Sequence, residues 1–376
     1  MTATITEIQA PTATSVSGIV DIDGRTGLLR TRGYVRSPGD IHLTQSQVRR
    51  YGLRGGDLIE GAAVPQQNGK GAALASVTTI NTIPAAETGN RPRFDDLTPV
   101  YPNERIRLEK GDSSPTARII DLVSPIGKGQ RGLIVAPPKA GKTMVLKTIA
   151  HAINNGYPDI VLMLVLVGER PEEVTDMRRS VRGEVVYSTF DQSAADHIRA
   201  AELAIERARR LAETGRDVVV LLDSLTRLGR AYNLAAPGNT RTLTGGVAAS
   251  ALQPPRQFLG AARCLEEGGS LTILSTALVD TGSALDNVLF EEFKGTGNME
   301  LRLRRDLAEN RLFPAIDAVG SGTRRDDLLM DATEHSAVTG LRRALAALDP
   351  QHAIELLIGK TKTDEPNAQW LLPPRR

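Results

Sequence analysis

The chain has 376 residues, of which 40% are hydrophobic and 24% are charged, and its formal net charge is +2. The length predicts about two or three domains, and the composition is ordinary for a soluble globular protein with a sizeable core. So small a net charge argues neither for nor against a polyanionic partner, which only local patches of charge could indicate.

Cysteine usage and hydropathy favour a cytoplasmic protein. Cys264 is the only cysteine, which excludes an intrachain disulfide and favours a reducing compartment. The longest apolar stretch, 160–167, is far shorter than the roughly 20 residues that a membrane helix needs. The N-terminus lacks the basic and apolar regions of a secretory signal, and the five histidines show no metal-ligand spacing. We therefore expect a cytoplasmic location and no membrane partner.

The N-terminal part of the chain predicts a small all-β domain. Residues 1–17 are rich in Thr, Ala and Ser and predict a disordered tail. Between residues 18 and 84, closely spaced β-type runs indicate a small barrel or sandwich. These runs are GIVDI (18–22), TGLLRTRGYV (26–35), DIHLT (40–44), DLIEGAAV (57–64) and ALASVTTI (73–80). The segment QSQVRRYGL (45–53) predicts one or two helical turns. Residues 85–115, rich in Pro, Gly and charge, predict a linker.

From residue 116 to 376 the pattern changes to alternating strands and helices. The runs IVLMLVLVG (160–168), DVVVLLD (217–223) and SLTILSTALV (270–279) are continuously apolar, as expected of parallel strands covered on both faces. Residues 194–214 repeat apolar residues at helical spacing. An α/β domain with a parallel sheet follows, in which ligands bind at the carboxyl ends of the strands.

The segment 132–148, GLIVAPPKAGKTMVLKT, has the strand–loop–helix pattern of a phosphate-binding loop. Backbone N–H groups and the helix N-terminus would attract phosphate oxygens. Lys142 would add a full charge at the β- and γ-phosphates, and the Thr143 hydroxyl could coordinate Mg²⁺. The generic pattern begins with Gly where this chain has Ala136, so the alternative of a surface turn stays open on the pattern alone.

Two other strand ends bring carboxylates to the same edge of the sheet. Asp223 ends an apolar strand, where it could hold Mg²⁺ together with Thr143; the alternative is a side-chain cap on the next helix. Glu169, followed by Arg170, comes directly after the run 160–167, where a carboxylate could orient or deprotonate an attacking water. The alternative for Glu169 and Arg170 is a solvated charge pair in a loop.

Long signatures occur in a characteristic order along the chain. They are RGLIVAPPKAGKT, ERPEEVTDM, LLDSLTRLGRAYN, LTGGV, EEFKGTGNMEL and RLFPAID with SGTR. Together they resemble the bacterial transcription termination factor Rho family, from about residue 18 to about residue 362. Generic RecA-like ATPases share only the phosphate loop and the strand aspartate.

The resemblance implies the fold and the activity. The expected fold is an OB or cold-shock-like β-barrel followed by an α/β RecA-like P-loop ATPase domain. The expected assembly is a ring-shaped homohexamer that uses ATP and Mg²⁺ to move 5′–3′ along single-stranded RNA. Such a ring releases nascent RNA from the RNA polymerase elongation complex.

The resemblance also implies roles for single residues of the ATP site. The expected nucleotide contacts are Lys139, Ala140, Gly141, Lys142, Thr143, Met144 and Phe313. Met144 and Phe313 fall where the family contacts adenine, and Thr143 and Asp223 where it holds Mg²⁺. Glu169 matches the catalytic glutamate and Arg170 its neighbour. Arg311 and Arg324 match arginines offered by the adjacent subunit, although their spacing alone would not nominate them.

RNA contacts are implied in the barrel and in two loops of a central channel. The expected residues are Arg30 in the barrel, Arg241, Leu243, Thr244, Gly245 and Gly246 in the first loop, and Thr281, Gly282 and Ser283 in the second.

The chain departs from the family pattern mainly in the barrel. DGRTGLLR places Thr26 and Leu28 at two positions that are usually aromatic, and KGAAL places Gly71 and Ala72 at another aromatic pair. Stacking of a base on an aromatic ring contributes about 1–3 kcal/mol, so RNA capture is expected to be weaker. Several arginines remain and could hold phosphates without much base preference. They are Arg30, Arg32, Arg49 and Arg50.

Three further departures lie in the second domain. Gly168 and Ala248 stand where Asp is usual, and Ala284 stands where Lys is usual. Two functional hypotheses follow from the whole pattern. The first is an RNA-dependent ATPase and terminator with relaxed contacts in the barrel. The alternative is a divergent Rho paralogue with weakened RNA capture, acting as a regulatory ring subunit or in another process.

Overall fold

The computed structural model describes residues 13–371, apart from residues 25, 67–70, 90, 239 and 364. The chain divides into two compact units, Met1–Pro92 and Arg93–Arg376. None of the helices in the described ranges is long and apolar enough to cross a lipid bilayer.

The first unit is a small closed β-barrel, as the sequence predicted. Its described elements are β1 (Thr14–Asp23), β2 (Thr26–Arg30), β3 (Ile41–Leu43), α1 (Gln45–Tyr51), β4 (Leu58–Pro65), β5 (Ala72–Ile80) and β6 (Ile83–Pro84). The strands pair in the order β3-β2-β1-β4-β5-β6, and the barrel closes because β3 also pairs with β5. That closing contact is parallel and joins His42 to Ala73.

The barrel encloses its own hydrophobic core. Val20, Leu29, Leu43, Ile59 and Ile80 are fully buried, and they come from five different strands. Side chains alternate between the two faces of a strand, so the neighbours of these residues point away from this core, although some of them, such as Asp21 and Arg30, are also buried. The barrel therefore has a closed apolar interior.

Two boundaries of the barrel differ from the sequence prediction. β1 begins at Thr14, so residues 14–17 of the predicted disordered tail lie in a strand that pairs with β4. Pairing with another strand, which composition does not reveal, orders this segment. Residues 1–12 lie outside the described residues. β2 ends at Arg30 rather than at residue 35, because the chain turns through Gly33 with a φ of 104°.

The second unit is an α/β domain. Its strands are β7 (Pro99–Val100), β8 (Arg105–Ile106), β9 (Ile126–Gly127), β10 (Arg131–Ala136), β11 (Val161–Glu169), β12 (Glu184–Thr189), β13 (Asp217–Asp223), β14 (Thr242–Leu243), β15 (Val247–Ala248), β16 (Arg263–Leu265), β17 (Ser270–Leu278), β18 (Met299–Arg302) and β19 (Gly322–Thr323). Its helices are α2 (Pro115–Val123), α3 (Lys142–Gly156), α4 (Pro171–Ser180), α5 (Ala194–Ala212), α6 (Leu225–Ala235), α7 (Gln253–Gly260), α8 (Ala284–Lys294), α9 (Arg305–Glu309), α10 (Ala332–Ala346), α11 (Pro350–Thr361) and α12 (Asn367–Leu371).

The main sheet of this unit has the described strand order β12-β11-β13-β17-β10-β18-β19. The pairings from β12 to β18 are parallel, and β19 extends that edge in antiparallel orientation. Along β13, the side chains from Val218 to Leu222 are at most 1% exposed, because helices cover both faces. The predicted parallel sheet is confirmed, and it brings the carboxyl ends of β10, β11, β13 and β17 to one edge.

The stretch predicted as a linker is partly built into the second unit. The two units divide between Pro92 and Arg93. Phe94 is buried, and its backbone N–H donates to Glu213 at 2.7 Å. The guanidinium groups of Arg209 and Arg263 lie over the Phe94 ring, at 5.6 and 4.8 Å from its centroid. These contacts between distant residues order a segment whose Pro and Gly content alone suggested irregular structure.

Candidate functional site

The segment after β10 has the geometry of a phosphate-binding loop. β10 ends at Ala136 and α3 begins at Lys142, so residues 137–141 lead from the strand directly into the helix N-terminus. The N–H groups of Lys142 and Thr143 lie in the first turn of α3, where a helix leaves its donors without partners inside the helix. Such a terminus attracts anions. The structure therefore excludes the alternative of an isolated surface turn.

Lys142 joins the two strand-end carboxylates that the sequence singled out. Its Nζ donates to Glu169 Oε1 at 2.9 Å and to Asp223 Oδ1 at 2.6 Å. Glu169 ends β11 and Asp223 ends the neighbouring β13, and they are only 3% and 2% exposed. Thr276 on β17 donates to the same Asp223 oxygen at 2.7 Å. Three strands and the phosphate loop thus converge on one buried cluster of charge.

The contacts of the two carboxylates also decide between the alternatives left open by the sequence. The N-cap of α6 is Ser224, whose Oγ accepts from Arg227 N at 3.2 Å, so Asp223 does not cap that helix. Glu169 is buried, so it is not part of a solvated charge pair. Its neighbour Arg170 is exposed at the N-cap of α4.

Burial and charge shift the titration of this cluster. Burial raises the pKa of Asp223, because it penalises the charged form. Burial also raises the pKa of Glu169, and a hydrogen bond with the carboxyl of Glu173 raises it further. Burial alone would lower the pKa of Lys142, but the charges of Asp223 and Glu169 outweigh that effect and raise it. Lys142 is therefore held as a cation between the two carboxylates, whose charged forms it stabilises.

Gly168 aims Glu169 into the cluster. The pairing of β11 with β12 shifts register between Val167 and Glu169, which is a β-bulge at Gly168. Gly168 has a φ of 67°, in the left-handed region that a side chain disfavours. A Cβ at this position would lie 3.3 Å from Arg227 Cδ. Arg227 thus occupies the space beside Gly168, the position at which the family usually has Asp.

Arg227 is a site residue that the sequence analysis missed. Its guanidinium donates to the carbonyl oxygen of Gly168, and its Nη2 lies 3.5 Å from Glu169 Oε1. Arg227 lies in the first turn of α6, four residues after Asp223. The sequence feature that could have indicated this role is its position just after an apolar strand that ends in Asp. A second cation therefore contacts Glu169 in addition to Lys142.

A cleft of about 370 Å³ lies beside the phosphate loop, and its walls include Lys139, Arg311 and Phe313. An added Cβ at Gly141 would lie 3.7 Å from the Phe313 ring, so the ring reaches the base of the loop. Phe313 is 51% exposed and Met144 on α3 is 66% exposed. Exposed apolar side chains beside a phosphate loop suit a flat aromatic base. Ala140, by contrast, is buried.

Arg311 lines the same cleft of its own chain. A tight turn after α9 places it there, in which Arg311 N donates to Ala308 O at 3.0 Å and Leu312 N donates to Leu307 O at 2.9 Å. The role that the resemblance implies for Arg311, an arginine offered by the adjacent subunit, stays a prediction. Arg324, in contrast, is exposed in a separate groove of about 360 Å³.

The two predicted channel loops pack against each other. The first forms a small hairpin in which Thr242 pairs with Ala248 and Leu243 with Val247. A Cβ at Gly245 would lie only 2.9 Å from the carbonyl oxygen of Ala284, at the start of α8. That close approach, together with a φ of 78° at Gly245, explains why glycine stands there.

The outer residues of the first loop remain accessible. Arg241, Leu243, Thr244 and Gly246 are all exposed. In the second loop, Thr281 Oγ1 donates to Asp286 Oδ2 at 2.6 Å and Ser283 caps α8. These two hydroxyls therefore bond within their own loop, and the adjacent Gly282 has open space around its Cα.

Helix α6 connects the carboxylate cluster to both loops. Arg227 contacts Glu169 at one end of the helix. One turn later, Arg230 donates to Asp286 of the second loop region through two bonds of 2.8 and 2.6 Å. A further turn on, Asn233 donates to Gly246 O at 3.2 Å and accepts from Ala248 N at 2.7 Å. These three residues are spaced three apart, so they lie near one face of the helix.

The comparisons with known proteins agree with both units. A family model described as "Rho termination factor, RNA-binding domain" matches residues 16–85. A second, "ATP synthase alpha/beta family, nucleotide-binding domain", matches residues 116–323. The transcription termination factor Rho of Streptosporangium roseum is 56% identical over 363 residues, which cover 96% of this chain and 92% of that protein. The chain belongs to the Rho family of transcription termination factors.

Other Rho relatives are longer than this chain. The Rho proteins of Micrococcus luteus and Streptomyces lividans are each 56% identical over 95% of the chain, which spans 53% and 51% of their lengths. Among solved structures, the assembled ATPase EscN of an enteropathogenic E. coli type III secretion system has a TM-score of 0.60 at 25% identity, covering 75% of this chain and 67% of that one. A second secretion ATPase, with a TM-score of 0.59, 24% identity and coverage of 74% and 78%, is similar in fold.

Arg30 of the Rho-type barrel does not lie where a phosphate contact was expected. It is 6% exposed, and its Nε donates to Asp21 at 2.7 Å while Nη1 donates to Asp40 at 2.6 Å. Two partly or wholly buried carboxylates thus hold the guanidinium inside the barrel wall. This burial argues against the predicted role of Arg30 in RNA binding, and the exposed arginines are better placed for phosphate contacts. These are Arg32, Arg49 and Arg50.

Two of the positions that are usually aromatic in the Rho family, Leu28 and Gly71, lie on the outer side of the barrel or beside it. Leu28 pairs with His42 across β2 and β3, and His42 pairs with Ala73 of β5. Leu28 alternates with the buried Leu29, so it faces outward. Gly71 is exposed before β5, whereas Ala72 packs against the barrel core. The outer patch therefore offers an aliphatic side chain where the family offers an aromatic ring.

Replacement of Arg30 by Met separates a structural role from an RNA-binding role. The change leaves two carboxylates near each other without the cation that they share, which is expected to destabilise the barrel by about 3–5 kcal/mol. Hydrogen exchange of the amides in residues 14–84 would measure this loss. The matched Arg49→Met change should leave exchange unaltered and weaken RNA binding. Normal exchange in Arg30→Met, with weaker RNA binding, would restore the original assignment.

Proposed function

We propose that this chain is an RNA-stimulated ATPase that moves 5′–3′ along single-stranded RNA and terminates transcription. The observation that carries the proposal is the continuous path along α6 from Glu169 through Arg230 and Asn233 to both loops. A helix is a rigid connector, so a shift of the loops on RNA would displace Arg227 beside Glu169. Membership of the Rho family supports the same activity.

The charge cluster is consistent with a nucleotide site in its ATP-free state. Lys142 forms ion pairs with both Glu169 and Asp223. When ATP enters, its phosphates would accept hydrogen bonds from the N–H groups at the start of α3 and from Lys142. Glu169 would then lose one of its cations and be better able to accept a proton from the attacking water. Lys139, Gly141 and Phe313 border the same space.

Mg²⁺ fits the residues present. Asp223 and Thr143 provide the carboxylate and hydroxyl oxygens that Mg²⁺ prefers when it is bound mainly by phosphates. Asp223 is fully buried and its charge is balanced by Lys142, which leaves a negative oxygen in need of a cation if Lys142 turns towards phosphate. When bound, Mg²⁺ would neutralise charge developing on the phosphates.

A homohexameric ring accounts for the position of Arg324. This arginine is exposed and lies in a groove apart from the cleft beside the phosphate loop of its own chain. We infer that it completes the ATP site of a neighbouring copy, where an arginine offered in trans accelerates phosphoryl transfer. Met144 and Arg170 would serve the site of their own chain, whereas Arg311, like Arg324, is expected to be offered to the site of a neighbouring copy.

The channel loops suit a strand that is held by its backbone. Arg241 is exposed beside the exposed loop residues Leu243 and Thr244, and Gly246 and Gly282 leave room for a close approach. Phosphate contacts of this kind give affinity without base selection. We propose that the ring acts in the cytoplasm on the RNA polymerase elongation complex.

The aliphatic outer patch of the barrel favours a second candidate function. Without stacking rings, the chain could be a divergent paralogue with weakened RNA capture, acting as a regulatory ring subunit. Leu28 on the outer face is the specific observation that favours it. The two functions differ in whether RNA stimulates turnover by the purified chain.

Replacement of Glu169 by Gln tests the assignment of the general base. We expect ATP binding within a few-fold of the parent and turnover lowered by about 100-fold or more, because Gln cannot accept the proton. Steady-state hydrolysis and nucleotide titration measure the two effects. The control is Glu172→Gln, an exposed position in the first turn of α4. Unchanged turnover in Glu169→Gln would exclude this role for Glu169.

Restoration of the aromatic residues tests the RNA-binding face. The Thr26→Phe and Leu28→Phe changes together should tighten binding of oligo(C) by tenfold or more, since each stacked base contributes about 1–3 kcal/mol. Thr78→Phe, at an exposed position of β5, is the matched control. Titration of a labelled oligonucleotide is the measurement. Equal affinity in all variants would mean that positions 26 and 28 do not contact RNA.

A further inference from the structure

The residues just before Arg324 are held in place by two neighbouring segments. β19 pairs with β18, so that Gly322 lies opposite Glu300 and Thr323 opposite Met299. Arg324 N itself donates to Asn298 O at 2.8 Å. On the other side, Thr323 Oγ1 donates to Pro125 O at 2.6 Å in the turn after α2. We call residues 321–324 the arginine loop.

A third contact comes from Arg342 on α10. Its Nη1 donates to the carbonyl oxygen of Val123 at 2.6 Å, and its Nη2 donates to the carbonyl oxygen of Ser321. Both acceptor residues are buried, at 0% and 2% exposure. One planar guanidinium therefore ties the end of α2 to the start of the arginine loop through two separate nitrogens.

The helix that carries Arg342 is held in place by ion pairs. Glu334, two turns earlier on α10, accepts from Arg105 at 2.8 Å and from Arg107 at 2.6 Å. These bonds hold α10, and with it Arg342, against the segment that contains Arg105 and Arg107. The side chain of Arg324 stays exposed. A Cβ at Gly322 would lie 3.2 Å from Arg342 Nη2, so the guanidinium lies against the loop backbone.

We propose that Arg342 is a positioning residue that sets Arg324 for the ATP site of the neighbouring subunit. This inference rests on the proposed role of Arg324 in trans. Without Arg342, the carbonyl groups of Val123 and Ser321 lose their shared donor and the loop can shift. A displacement of about 1 Å in a charged group that stabilises a transition state can lower the rate about 100-fold. Ground-state binding of ATP, made by the other subunit's phosphate loop, would be little affected.

The test compares four variants of the full chain: Arg342→Gln, Arg324→Ala, the double variant and Arg343→Gln. Arg343 is the exposed neighbour of Arg342 on α10 and serves as the matched control. We expect Arg342→Gln to lower kcat by about 10- to 100-fold, with KM for ATP within about threefold. The double variant should be no slower than Arg324→Ala, because both changes remove one function. Arg343→Gln should retain the parent rate.

The outcomes separate the positioning role from the role of Arg324. If Arg324→Ala is slow and Arg342→Gln retains the parent kcat, the positioning role is overturned and the proposed function stands. If the two losses multiply in the double variant, Arg342 acts independently of Arg324 and the inference also fails. If Arg324→Ala is itself fully active, the arginine in trans is wrong, and the inference falls with it.

A second variant covers the case in which Arg342→Gln does not fold. Thr323→Val keeps the Arg342 guanidinium and removes only the hydrogen bond to Pro125 O. It loosens the same loop, so we expect the same fall in kcat with unchanged KM, smaller in size. Sedimentation of the hexamer and thermal unfolding identify folded variants. A folded Thr323→Val ring with the parent kcat would contradict the claim that fixing this loop controls turnover.

Discussion

The ammonium group of Lys142 lies between two carboxylates that burial alone would leave in an unfavourable environment. Glu169 and Asp223 come from adjacent strands, and removing the lysine would leave these two buried carboxylates without the cation that they share. The parallel sheet places these strand ends beside the loop after β10. The strand order, the bulge at Gly168 and the start of α3 therefore together position this cluster.

From this cluster, α6 extends the same constraint to the channel loops. Asp223 immediately precedes the helix, Arg227 contacts Glu169, and Arg230 and Asn233 hold the second and first loops. A change in charge at the nucleotide site and a change in loop position thus meet in one helix of 11 residues. In the proposed function, this geometry would join hydrolysis to RNA contact through packed atoms and hydrogen bonds.

The elements with strong local patterns could be predicted from sequence: the barrel, the parallel strands, and the convergence of Lys142, Glu169 and Asp223. Arg227 was missed because its role depends on a bulge at Gly168 that brings a carbonyl group to it. The burial of Arg30 could not be predicted, because it depends on how the folded barrel wall brings Asp21 and Asp40 to its guanidinium. Motif order identifies residue roles, whereas burial and pairing are tertiary properties.

The measurement that tests the account most directly is steady-state ATP hydrolysis by the purified chain, without RNA and with poly(C), poly(U) or poly(A). The link through α6 predicts that RNA raises kcat severalfold or more. Since we propose that the barrel holds RNA mainly by phosphate contacts, we expect the three polymers to stimulate turnover to similar extents. Nucleotide binding with turnover that no polymer changes would contradict the coupling of RNA to the Lys142 cluster.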